Sequence, residues 1–139
     1  MKSTIIEVKT IVNAPIEKVW KHWTTPEDIC KWNNASPEWH TPKAENNLKI
    51  GGKFNYRMEA KDESMGFDFW GIYDEIILNK FITYTTGDNR KVSISFSTKE
   101  NKTIIFESFE AENTNSIELQ RDGWQNIFDN FRKYTNSNN

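Results

Sequence analysis

The sequence predicts an α+β fold in which a curved antiparallel sheet of about six strands wraps around a long C-terminal helix. Three observations favour this fold. First, a segment rich in β-branched residues is followed by two short segments with helical periodicity. Second, the middle of the chain contains segments in which apolar and polar residues alternate, separated by turn-forming residues. Third, a long amphipathic segment lies at the C-terminal end. At 139 residues the chain is expected to form one domain, residues 1–139.

The N-terminal part is predicted to contain one strand, two short helices and a loop. Residues Thr4–Val12 are rich in β-branched residues and indicate the strand. Asn13 is expected to cap the first helix, and Thr25-Pro26 ends it and begins the second. Residues 33–48 contain two prolines, several turn formers and no sustained period, so they are predicted to form a loop. Inward positions on the two helices are Ile16, Val19, Trp20, Trp23, Ile29 and Trp32.

The middle of the chain is predicted to be an antiparallel meander. Short turn-forming stretches separate its strands, and apolar residues occupy alternate positions within them. The predicted strands are residues 53–58, 67 to about 78, 81–86, 91–98 and 103–112.

The closing segment Ser116–Tyr134 predicts an amphipathic helix that lies on the sheet, with Thr114 or Asn115 as its cap. The polar tail, residues 135–139, is expected to be frayed. Gly123 costs roughly 1 kcal/mol against Ala inside a helix and leaves space beside Trp124. That space has two interpretations, close contact between helix and sheet or room for a ligand. The inward residues are Ile117, Trp124, Ile127, Phe128 and Phe131.

Composition limits the classes of function. The formal net charge is -2 and the pI about 5.7, which gives no electrostatic attraction to nucleic acid or to a membrane surface. No apolar run is long enough to span a bilayer, and Cys30 is the single cysteine, so the protein is expected to be soluble and cytoplasmic. Two histidines and one cysteine lack zinc-site spacing, and no phosphate-binding loop is present, so neither a metal nor a cofactor is expected.

Aromatic residues make up 14% of a chain that is only 36% hydrophobic, which predicts an internal cavity, because large rings fill space less completely than aliphatic chains. A filled core is the alternative at each position. The predicted wall consists of inward residues of the strands, with two residues of the closing helix opposite: Phe54, Tyr56, Met58, Phe67, Phe69, Tyr73, Tyr84, Phe96 and Phe109, then Trp124 and Phe128.

Polar candidates accompany this wall. Glu107 lies between Ile105 and Phe109 on the predicted inner face, where an unpaired carboxylate is costly, unless a bulge turns it to solvent. Gln120 stands one turn before Trp124. In the long loop, Trp39 and His40 are placed to fold over the cavity mouth or to pack on the surface. Glu107 and His40 are therefore the candidates for proton transfer.

Motifs along the whole chain resemble the SRPBCC superfamily, specifically the branch named after the activator of the heat-shock chaperone ATPase. The loop containing Trp39-His40-Thr41-Pro42 is similar to a bacterial subgroup labelled SRPBCC-domain or polyketide-cyclase-like. The motifs are Ala14-Pro15, Val19-Trp20, Thr24-Thr25-Pro26-Glu27, Trp32, Gly51-Gly52-Lys53-Phe54, Gly71-x-Tyr73-x-Glu75, Gly123-Trp124 and Phe131.

The resemblance implies a helix-grip fold, as in START-like and pollen-allergen proteins, and three hypotheses of function. The first is non-catalytic binding of a small hydrophobic or aromatic molecule by a monomer or weak homodimer. The second is a stress-response protein that stimulates a heat-shock chaperone ATPase, with outward-facing Trp70 as a contact; Trp70 could instead simply cover a loop. The third is a cyclase or hydrolase that uses Glu107 or His40.

Overall fold

A computed structural model describes residues 4–137 and confirms the α+β helix-grip fold. Seven antiparallel strands form one sheet in the order β1-β7-β6-β5-β4-β3-β2. The strands are β1 (Ile5–Val12), β2 (Trp39–Asn46), β3 (Lys53–Ala60), β4 (Gly66–Ile77), β5 (Phe81–Thr86), β6 (Lys91–Lys99) and β7 (Lys102–Glu110), and the helices are α1 (Ile16–Thr24), α2 (Pro26–Trp32) and α3 (Ile117–Ser137).

Strand β2 lies within the segment that was predicted to be a loop, so that prediction was wrong. The segment has no clear period because the pairing of β2 with β3 shifts register between His40 and Lys43. Thr41, within this irregularity, is buried, and its hydroxyl donates to the carbonyl oxygen of Asn33 at 2.6 Å. Tertiary pairing with β3, rather than local propensity, therefore determines this strand.

The predicted cap of α1 was also wrong. Pro15 occupies the N-cap position, with a φ of -70°, and no side chain caps the helix there. The Asn13 amide instead donates to Oδ1 of Asn136 in α3 at 3.0 Å. Asn13 thus ties the end of β1 to α3.

The inward faces of α1 and α2 pack against α3 through rings. Trp23 stacks on Trp32 with 4.7 Å between ring centroids, and Phe131 of α3 lies 5.0 Å from each of them, edge-on. Val19, Trp20, Ile29 and Trp32 are buried, as the sequence predicts.

Helix α3 differs from its prediction at both ends. Its first turn is capped by Ser116, whose Oγ accepts the Leu119 amide at 3.1 Å, and not by Thr114 or Asn115. Residues 135–137 continue the helix, and Thr135 is completely buried with its Oγ1 at 3.1 Å from Nδ1 of His22. The expected fraying is therefore wrong for these residues, while 138–139 lie outside the described part of the chain.

Helix α3 is anchored to one half of the sheet. The side-chain amide of Gln125 donates to the Lys9 carbonyl oxygen at 3.0 Å and accepts the Lys9 amide at 3.4 Å, so it bonds to the main chain of β1. The ring of Trp124 stacks on Phe109 of β7, with centroids 3.8 Å apart and an interplanar angle of 13°. These contacts hold α3 over β1 and β7.

Gly123 does not mark a close contact between helix and sheet. A Cβ built on it meets no atom within 4 Å, so that interpretation was wrong. Gly71 in β4 is the opposite case, because a Cβ there would lie 2.8 Å from both the Phe54 ring and the Thr85 carbonyl oxygen. Gly71 therefore allows the ring of Phe54, its cross-strand partner on β3, to lie close to the backbone of β4.

We expect Gly123→Ala to stabilise the protein by about 0.5–1 kcal/mol, because alanine loses less backbone freedom in a helix and the added methyl meets open space. Urea unfolding, followed by circular dichroism, measures this change.

Gly71→Ala is the matched control and should destabilise the protein by about 1–3 kcal/mol, since a neighbouring ring or carbonyl must move. A destabilised Gly123→Ala variant would show that Gly123 is needed for something other than space.

Candidate functional site

A cavity of about 180 Å³ lies between the concave face of the sheet and the three helices. Its wall is almost entirely aromatic and aliphatic, with few polar groups. Nine predicted residues line it: Phe54, Tyr56, Met58, Phe67, Phe69, Tyr73, Tyr84, Glu107 and Trp124. Six further residues complete the lining: Trp23, Trp32, Asn33, Ile82, Ile94 and Ile127.

Three rings predicted for the wall lie in the filled core and do not line the cavity. Phe96 packs edge-on against Trp20 at 5.3 Å, Phe109 is covered by the stacked Trp124, and Phe128 lies 5.6 Å from Trp23. Phe96 and Phe109 point to the same face of the sheet as the lining residues, but α1 and α3 cover that part of the face.

Three other predicted site residues, Gln120, Trp39 and His40, also lie outside the cavity lining. Gln120 is buried and organises the turn before α3, since its Oε1 accepts the Glu112 amide at 2.8 Å and its Nε2 donates to the Asn115 carbonyl oxygen at 2.9 Å. Trp39 packs against Phe67 with centroids 5.9 Å apart. His40 pairs with Glu59 in the β2–β3 ladder. The structure thus brings Glu107, but not His40, to the cavity.

Most of the additional lining residues carry a signal in the sequence. Ile82 shares a strand face with Tyr84, Ile94 belongs to the inward row of β6, and Ile127 lies on the apolar face of α3. Asn33 carries no such signal. Its side-chain nitrogen lies 3.2 Å from the Thr41 hydroxyl and 3.1 Å from the Met58 sulfur, which connects the end of α2 to β2 and β3.

Glu107 faces inward and is 3% exposed. The β7 register runs without interruption past it, with Val8 and Ile94 as its neighbours on either side, so no bulge turns it to solvent. No residue in the described range 4–137 forms a hydrogen bond or ion pair with its carboxyl group. Burial raises the pKa of Glu107 from 4.5 to about 8, so the carboxyl is largely protonated at neutral pH.

Apart from Asn33, tyrosines supply the other polar side chains of the cavity lining. The Tyr73 hydroxyl donates to Oδ1 of Asn46 at 2.6 Å, and Nδ2 of Asn46 donates to the Thr24 carbonyl oxygen at 2.7 Å. Burial raises the pKa of Tyr56, of Tyr73 and of Tyr84, and a hydrogen bond with Tyr73 raises that of Tyr56 further. All three hydroxyls are therefore neutral across the physiological range.

The candidate surface residue Trp70 has partners that account for its position. Its ring is 37% exposed, the Lys53 ammonium lies 4.6 Å from its centroid, and a Cβ on Gly87 would be only 2.6 Å from its Nε1. Trp70 therefore covers the turn between β5 and β6.

Within residues 4–137, no cluster of three or more His, Cys, Asp and Glu side chains could hold a metal ion. No helix in the described part of the chain is long and apolar enough to cross a membrane.

Comparison with known proteins identifies relatives of this chain. A family model described as "Activator of Hsp90 ATPase homolog 1-like protein" (AHSA1) matches residues 13–136. None of the curated proteins matches the sequence.

Solved structures of similar proteins agree with the fold. The AHSA1-like protein from Aeromonas hydrophila is 35% identical, with a TM-score of 0.90 over 96% of this chain and 93% of its own. A protein from Cytophaga hutchinsonii is 52% identical, with a TM-score of 0.80 over 98% and 93%. A Chromobacterium violaceum protein is 18% identical over 96% and 98% of the two chains, and its TM-score of 0.86 reflects the fold alone.

Burial of Glu107 predicts a pH dependence of stability. Its pKa is higher in the folded than in the unfolded state, so the folded protein binds more protons and loses stability as pH rises from about 4.5 to about 8. The loss amounts to up to about 5 kcal/mol. Glu107→Gln, which resembles the protonated acid, should be more stable than wild type at pH 8 and similar to it at pH 4, as measured by urea unfolding.

Two features isolate the contribution of Glu107 in that comparison. Burial lowers the pKa of His22, but His22 is present in both proteins and its effect cancels. Glu7→Gln, on the exposed face of β1, is the control and should leave the pH dependence unchanged. Parallel pH profiles for wild type and Glu107→Gln would contradict the prediction.

Proposed function

Since this chain belongs to the family of activator of Hsp90 ATPase homolog 1-like proteins, a branch of the SRPBCC superfamily, we propose that it binds one small hydrophobic or aromatic molecule without catalysing a reaction. The ligand occupies the cavity between the sheet and α3. The binding unit is one domain, residues 1–139, acting as a monomer or weak homodimer in the cytoplasm.

The observation that carries this proposal is an unfilled space of about 180 Å³ with an aromatic wall and a few inward polar groups. Apolar cavities of about 150 Å³ hold a benzene molecule. The size therefore favours a ligand with one ring, or a short branched chain, over a sterol or a long acyl chain.

The position of Phe67 supports access from solvent. Phe67 lines the cavity and is nevertheless 50% exposed, with Trp39 packed beside it. Movement of this one ring, on β4 near the hairpin that follows β3, opens the cavity without disturbing the anchors of α3.

A thermal-shift screen of monocyclic aromatic compounds against the purified protein tests the proposal, because a ligand at 100 times its Kd adds about 2.7 kcal/mol of stability.

Filling the cavity should abolish binding of any hit from that screen. Ile94 of β6 is buried and lines the cavity next to Glu107, so a larger side chain there extends into the empty space. We expect Ile94→Phe to weaken binding by at least about tenfold and to leave the melting temperature unchanged or higher, as measured by calorimetry.

Ile105→Phe is the matched control, because Ile105 is completely buried in β7 but does not line the cavity. Overpacking there should cost about 1–3 kcal/mol of stability and leave affinity unchanged. Equal affinities for wild type and Ile94→Phe would place the ligand elsewhere.

The name of the family favours a second candidate, stimulation of a heat-shock chaperone ATPase by the protein surface. Under this candidate, adding the protein raises the ATPase rate of an Hsp90-type chaperone, Trp70→Ala lowers that effect and Ile94→Phe does not. An unchanged ATPase rate at saturating protein would rule out this candidate.

A further inference from the structure

We propose that the ligand of this cavity is a small aromatic amine, bound as a cation by the Glu107 carboxylate and the surrounding rings. This inference rests on the proposed function and specifies the chemical class of the ligand.

The charge of the cavity lining supports a cation. Glu107 is its one ionisable group that can carry a charge near neutral pH, and none of the described lining residues is Lys, Arg or His. An anionic ligand, such as a carboxylate or a phosphate, would be buried without a counter-charge and close to an acid. A neutral ligand can hydrogen-bond to the protonated Glu107 carboxyl but provides no positive charge to stabilise its carboxylate form.

The rings around Glu107 favour the same class. Phe54, Tyr84 and Phe69 form adjoining walls, with Phe54 and Tyr84 4.7 Å apart at 75° and Phe69 and Tyr84 6.5 Å apart at 79°. Trp124 stands perpendicular to Phe69 at 6.1 Å and extends this wall across α3. Walls at right angles present ring faces from several sides, and ring faces attract organic cations.

No other polar group near Glu107 in the described part of the chain supplies a positive charge to pair with its carboxylate. The Tyr73 hydroxyl donates a hydrogen bond to Asn46 and is hydrogen-bonded to Tyr56. Because burial raises the pKa of Tyr56, Tyr73 and Tyr84, all three hydroxyls remain neutral. Val8 of β1 and Ile94 of β6, the neighbours of Glu107 in the sheet, are apolar. The lining residues on the helices are Trp23, Trp32, Trp124 and Ile127, none of which titrates. Arg90 affects the pKa of Tyr84 but is paired with Asp88 at 2.7 Å.

Binding of an ammonium ion then has a defined proton balance. The free protein holds Glu107 as a carboxylic acid, and the bound cation stabilises the carboxylate, so the O–H proton leaves to solvent as the ion pair forms. Binding at pH 7 should therefore release about one proton per ligand.

The test compares three probes of similar size and different charge, benzylamine, benzyl alcohol and benzoate, by calorimetry at pH 7. We expect wild type to bind benzylamine at least about tenfold more tightly than benzyl alcohol and not to bind benzoate. Titrations of benzylamine in two buffers of different ionisation enthalpy should show proton release of about one per ligand.

Glu107→Gln should lose the preference for benzylamine and the proton release, and should retain binding of benzyl alcohol. Glu7→Gln should behave as wild type in both measurements. A preference for benzylamine that survives in Glu107→Gln, or binding without proton release in wild type, would overturn the inference.

The outcomes also separate this inference from the proposed function. Binding of benzyl alcohol as tight as that of benzylamine in wild type refutes the amine and leaves the aromatic ligand standing. Absence of binding by all three probes refutes both.

Discussion

The stack of Trp124 on Phe109 determines how far α3 stands from the sheet. Its centroid separation of 3.8 Å allows nothing between helix and sheet at β7, while the Gln125 amide fixes the same helix to β1. Opposite β4 the helix contributes a ring contact, Trp124 against Phe69, with 6.1 Å between the ring centroids. Because flat rings at steep angles cannot fill a curved space, an anchor on one half of the sheet produces a cavity over the other half.

The buried acid on β7 works against the stability of the fold. A glutamine or an aliphatic residue would satisfy the alternation of Ile105 and Phe109 without requiring protonation near neutral pH. Proteins keep such costly groups mainly where they contact something other than the protein itself. At Glu107, therefore, the residue that lines the cavity is not the residue that would stabilise the fold most.

Sequence periodicity predicted the direction of side chains well and their surroundings poorly. Alternation placed Phe54, Tyr56, Tyr84 and Glu107 on the concave face, where the structure has them. It could not show that Phe96 and Phe109, on the same face, are covered by α1 and α3, because period-two patterns contain no information about which helix lies over which part of a strand.

Two other errors arise from partners that lie outside the segment concerned. Strand β2 depends on its pairing with β3, and the Thr41 hydroxyl within it is hydrogen-bonded to Asn33 and Met58. Thr135 appeared to belong to a polar tail because its partner, His22, lies in α1 near the other end of the chain. Local composition cannot reveal such partners, and in both cases tertiary contacts decide the structure.

The contacts at the two margins of the sheet also disfavour the addition of a strand from another chain. A seven-stranded open sheet has two outer strands whose free main-chain groups can recruit a strand from another chain. On β1, Gln125 already occupies the amide and carbonyl of Lys9. On β2, the register shift coincides with Pro42, which has no amide hydrogen, and the charged Lys43 and Glu45 follow. Both outer strands thus carry features that oppose strand addition, one of the routes by which proteins aggregate.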